Sequence, residues 1–192
     1  MSTSGPYTDL AVVKTTNEFE ISLVRGADGG VYLRTQLRDV VRPEEAAAFK
    51  GAARRAKASS VGGFEEVVEA TANSYVSAIA PGERLDRLHV AVREGGLDAV
   101  PVHVVSQIVL ELIDALAALH EQGQCSGPFD ASNVHLGTDG LVRLADGPIR
   151  ALKVQSGGVA PTMASDMKSL GRLVQTLSPS ATISGSTAGT SA

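Results

Sequence analysis

Tryptophan is absent from the 192 residues, and three tyrosines and four phenylalanines offer little surface for a large aromatic core. Alanine is plentiful instead, which predicts thin packing layers, closely approaching helices and modest stability. The single cysteine, Cys125, excludes an intramolecular disulfide and fits a reducing compartment. No basic run followed by an apolar stretch opens the chain, and no run approaches the ~18 uninterrupted apolar residues of a bilayer span, so neither export nor a membrane location is expected. A net charge of −4 without a basic stripe argues against a nucleic-acid partner. The four histidines, His89, His103, His120 and His135, have no metal-ligand spacing, so no metal site is expected. What is left is a cytoplasmic chain, 43% apolar and long enough to bury a core, whose partners are proteins or small molecules.

The patterning predicts an α+β chain. Leu10 to Val13 is an apolar run, and Phe19, Ile21 and Leu23 alternate with Glu20 and Ser22, which reads as a hairpin. The turn-rich RGADGG and the strand formers of VYLRTQLRDV add a third strand. Pro43 opens a helix with acidic residues in its first turn and Arg54, Arg55 and Lys57 near its end, matching the macrodipole. Phe64 to Ala70 and Tyr75 to Ile79 complete five antiparallel strands, and Pro81-Gly82 reads as a hinge. A short helix ending at Gly95-Gly96 and a long one from Pro101 to Gly123 follow; the second carries a wide stripe of Val105, Ile108, Val109, Leu112, Leu116 and Leu119. Arg150 to Ala164 is expected as a loop and Ser165 to Leu177 as a helix. The last 15 residues, uncharged and with one large apolar side chain, Ile183, are expected to be disordered.

The segment ALAALHEQGQCSGPFDASNVHLGTDGLVRLADGPIRAL, inside this order of elements, resembles the bacterial Hanks-type serine/threonine protein kinases, whose text runs A-L-x-x-L-H-x-x-G-x-x-H-G-D-L-K-P-S-N-V-x-L and then V-x-L-A-D-F-G-I-A. The resemblance covers about Tyr7 to Leu177, with Ala115 to Arg150 its specific part. It implies a bilobal fold: a flexible start at 1–6, a five-stranded lobe at 7–80, a truncated helical lobe at 81–177 and a disordered tail at 178–192. Kinases clamp ATP phosphates and Mg²⁺ and orient a hydroxyl against a carboxylate. KTTNEF, in place of the glycine-rich phosphate loop, has no glycine. Arg34 stands where the third-strand lysine belongs, and its helix glutamate falls near Ala52 in the register set by Phe49. Pro128 occupies the general-base position and can accept no proton; Asp130 replaces the loop lysine, two residues away.

By the same resemblance Asn133 and Asp146 keep the two metal-ligand positions, which together with Arg34 are the vestigial nucleotide and metal positions. Gly147 and Pro148 remove the phenylalanine and the flexible backbone of the Asp-Phe-Gly switch. Asp166 in SDMKSLGRLV matches the buried aspartate that holds the catalytic loop, while Thr162 stands where a docking glutamate should be. Helices beyond this point are missing. The resemblance therefore implies a degenerate pseudokinase: not an enzyme, with no required cofactor, acting as a protein-binding regulator or scaffold in a signalling or assembly complex. Its partner, or a second copy, would cover the incomplete helical lobe. Two alternatives stand beside it, an ATP- and Mg²⁺-binding or weakly active atypical kinase, and a structural assembly protein docking through its Ser/Thr-rich tail.

Overall fold

In a computed structural model, residues 3–4, 6–59, 61–80, 82–96, 100–157 and 160–178 are described; the tail expected to be disordered lies outside them, apart from Ser178. Strands β1 (Thr3–Ser4), β2 (Tyr7–Thr15), β3 (Phe19–Arg25) and β4 (Val31–Leu37) precede helix α1 (Pro43–Ala58), and β5 (Val67–Ala70) and β6 (Ser74–Ala78) follow it. The sheet order is β1-β2-β3-β4-β6-β5, with every neighbouring pair antiparallel. The five expected strands are therefore present. Within the segment expected to be a flexible start, Thr3 and Ser4 pair with Thr8 and Tyr7, because the outer edge of β2 offers unpaired backbone groups.

Register sorts the sheet into two faces. Ile21, Thr35 and Tyr75 stand side by side, as do Ser22, Arg34 and Val76 on the opposite face. The Tyr75 face is closed by α1, whose Phe49 and Ala53 are fully buried against Phe19, Leu37, Val67 and Tyr75. At the start of α1 the Glu45 carboxylate accepts from the Arg42 amide at 3.2 Å and from its guanidinium Nε at 3.0 Å, and Pro43 at the first position needs no donor there.

The second half packs around α3 (Val102–Glu121). Its Val105, Ile108, Leu112 and Leu116 are buried with Leu85 of α2 (Leu85–Glu94) and with Leu170, Leu173 and Leu177 of α5 (Met163–Leu177). A small antiparallel sheet, β7 (Glu83–Arg84), β8 (Val134–Leu136) and β9 (Val142–Leu144), lies against them. α3 is long and apolar enough, by length and composition, to cross a membrane; Glu111 and Asp114 interrupt the run that the sequence reading required. Here it is the central helix of the fold.

The loop expected over Arg150 to Ala164 is corrected: Gly147–Gly157 forms helix α4. Glycine and proline at its start suggested a turn, but Pro148 sits in the first turn, where an N–H is not needed. Ile149 and Leu152, three apart, bury against Phe49 and Ala53, each burial contributing about 2 kcal/mol. These side chains supply the contact under α1 that a missing phenylalanine had suggested was lost. The expected hinge is also a close approach: Gly82 has φ 123°, and a Cβ there would lie 1.9 Å from the Leu136 carbonyl oxygen.

Candidate functional site

The pairing of Val134 with Leu144 places Asn133 beside Ala145 and Asp146. The Ala145 amide donates to the Asn133 carbonyl oxygen at 2.8 Å, and Asn133 Nδ2 donates to Asp146 Oδ2 at 3.3 Å. Asn133 Oδ1 accepts from the Asp130 amide at 3.2 Å. Asp146 has φ 60°, the left-handed conformation that aspartate tolerates better than most residues. Its amide donates to Glu65 Oε2 at 2.9 Å, across 81 positions of sequence. Burial above all, and then the neighbouring Asp146, push the Glu65 carboxyl up; hydrogen bonds to it, and to a lesser degree Arg150, hold it down.

Below this pair, the backbone at Ser126 and Gly127 is held from both sides. Asp166, fully buried in the first turn of α5, accepts from the Ser126 amide at 2.8 Å, the Gly127 amide at 3.0 Å and His120 Nε2 at 2.9 Å. Arg150, in the first turn of α4, donates to the Ser126 carbonyl at 2.8 Å, to Ser126 Oγ at 2.6 Å, and to the Gly127 and Ala145 carbonyls at 3.3 and 3.1 Å. Its guanidinium is pulled down to about 10 by burial, against the attraction of Asp146, Asp166 and Glu65. One side chain thus takes the N–H groups of the loop and another takes its carbonyls, so a non-regular segment can lie buried without orphaned backbone.

The positions singled out from sequence divide. Asn133 and Asp146 are brought together, and Asp166 reaches the loop as expected. Pro128 is exposed and offers no acceptor side chain; Asp130, also exposed, takes the Ser132 amide and hydroxyl at 2.8 and 2.6 Å, capping the 3₁₀ turn Ala131–Asn133. Arg34 does not join Asn133 and Asp146. It lies on the sheet face away from Tyr75 and forms an ion pair with Asp9. The β2–β3 turn keeps its own amides occupied: Thr16 Oγ1 accepts from Glu18 and Phe19 at 3.2 and 3.0 Å.

A magnesium ion needs hard oxygen ligands. Asp146 supplies them, but the Asn133 amide presents its NH₂ to Asp146 and its oxygen to the loop backbone, so this pair as arranged does not fit the ion. His120, Cys125 and Asp166 place ligand atoms within 4.8 Å of one another, a grouping hidden in sequence because His120 and Asp166 stand 46 positions apart. Three donors already occupy the Asp166 oxygens, and burial followed by Asp166 itself pushes the Cys125 thiol up, away from the thiolate that binds metal. The grouping is a polar latch. His120 is a hydrogen-bonding member of it.

Sequence reasoning missed Glu65, Ser126 and Arg150. An arginine set between Ile149 and Leu152 in an apolar stretch is the signal that could have exposed Arg150. In comparison with known proteins, no family model matches the chain, and no curated protein matches it.

Proposed function

We propose that the chain is a catalytically inactive, kinase-like binding module: a bilobal pseudokinase that serves as a regulator or scaffold through protein contacts. The observation that carries this reading is Asp166, buried and accepting from the Ser126 and Gly127 amides, immediately before a base position filled by Pro128. A latch of that kind retains the loop's shape, while proline removes the group that would take a proton from a hydroxyl. The rest of the machinery agrees. The turn where phosphates would sit spends its amides on Thr16, and Arg34 faces away from Asp146. Electrostatic stabilisation of a transferring phosphoryl group is the larger part of such catalysis, and among the described residues Arg34 is turned away from Asp146 and paired with Asp9.

A nucleotide would be retained only if Asn133 and Asp146 exchanged their mutual bond for a cation. In a thermal-shift titration with ATP, with and without Mg²⁺, the transition is expected to stay in place, since a ligand that binds the native state raises it in proportion to ln(1 + [L]/Kd). A Mg²⁺-dependent rise that disappears in Asp146→Ala would replace the inert reading with nucleotide binding.

A further inference from the structure

α3 and α5 run antiparallel. His120, near the end of α3, meets Asp166 at the start of α5, and Val102, Val105 and Val109 share a shallow apolar groove with Val174 and Ser178 at the other end. Outside that groove each helix continues an apolar stripe. On α3 it passes through Leu110, Ile113 and Ala117, with Leu110 57% and Ile113 40% exposed; on α5 it passes through Met163, Met167 and Gly171, both methionines more than 40% exposed. Helical spacing sets a charged edge beyond each stripe. Beyond the stripe of α3 the edge is acidic, with Asp114 and Glu121 exposed and no lysine or arginine anywhere in the helix. Beyond that of α5 it is basic, with Lys168 and Arg172 exposed, and the only acid of that helix is the buried Asp166. Among the described residues none of these four exposed charges makes an ion pair.

An apolar face with an acidic edge on one helix and a basic edge on the other is complementary to itself. Rotation by 180° about an axis lying in the face, along the helices, lays the acidic edge of one copy over the basic edge of the next without changing level. His120 is level with Asp166, and Val109 and Val174 line one groove, so Asp114 stands level with the turn between positions 168 and 172. We propose that the chain forms a two-fold homodimer through the α3–α5 face, with Asp114 set between the partner's Lys168 and the partner's Arg172. This deepens the reading of the helical half as a docking surface and rests on it: the occupant is a second copy. Closed two-fold contacts of this kind use one patch on both subunits, and charge at the rim fixes the register.

Sedimentation velocity on the full chain, from about 1 to about 100 µM, tests it. The wild type is expected to reach a mass twice that of the 19.8 kDa chain. Asp114→Lys alone, and Lys168→Asp with Arg172→Asp, are each expected to weaken association by about tenfold or more, and all three together to restore it to within about threefold of the wild type. These sites are exposed, and a far-ultraviolet circular dichroism spectrum equal to that of the wild type shows that each variant folds. Failure of the combined variant to recover overturns the two-fold pairing. A single-chain mass throughout overturns the dimer, and co-sedimentation of that monomer with phosphatidylcholine vesicles would assign the face to a bilayer. Neither result bears on phosphoryl transfer, so the inert-site reading stands or falls separately.

Discussion

Asp166→Ala is expected to lower stability by about 3–5 kcal/mol, the usual cost of removing one partner from a buried charged network. The carboxylate is fully buried and serves three donors, so truncation strands the Ser126 and Gly127 amides and His120 Nε2 in one step. Each stranded donor forfeits its hydration without replacement, at about 1–3 kcal/mol. No neighbouring acceptor can substitute, because the carbonyls of the same loop already face Arg150. In urea, with a slope of about 2 kcal/mol per molar, the midpoint should fall by about 1.5–2.5 M. Asp166→Asn keeps the shape and one acceptor oxygen, and is expected to lie between the two. A midpoint unchanged in the alanine variant would mean that water reaches the loop amides and that the latch is not structural.

Arg150→Met should cost about 3 kcal/mol or more, although methionine keeps most of the stem's packing. Two consequences add. The Ser126, Gly127 and Ala145 carbonyls lose their donor, and Glu65 and Asp146 lose the buried cation that both of them face. The second effect has its own signature: Arg150 holds the Glu65 carboxyl down against burial, so in the variant that carboxyl should titrate at still higher pH. Carbon-detected NMR of the glutamate carboxyl reads this directly. A destabilised variant with an unmoved Glu65 would separate the hydrogen bonds from the charge and show that the carbonyls alone matter.

Strands β2 to β6, α1, α3 and α5 were legible because of local signals such as alternation in β3, a proline and acidic first turn in α1 and a sustained apolar stripe in α3. α4 was not, because its evidence is tertiary. GPIRALKVQSG looks like a loop until Ile149 and Leu152 are seen against Phe49. The site divides in the same way. Asn133, Asp146 and Asp166 stand in a spaced motif, whereas the groups that hold them come from elsewhere in the chain, Glu65 from before β5 and Arg150 from the helix that was missed. Arg34 shows the opposite failure. A strand residue one place from its neighbour changes face, and the register turns toward Asp9 a guanidinium that the resemblance had grouped with Asn133 and Asp146.

The central claim is that this loop keeps its shape and has lost its reaction. Incubation of the full chain with γ-phosphate-labelled ATP and Mg²⁺, with a generic protein acceptor present, measures both transfer and release of phosphate. The account predicts neither above the protein-free rate, and no difference between the wild type and Asp146→Ala. Labelled acceptor, or released phosphate, that vanishes in Asp146→Ala would contradict it and make the Asn133–Asp146 pair the centre of an active enzyme.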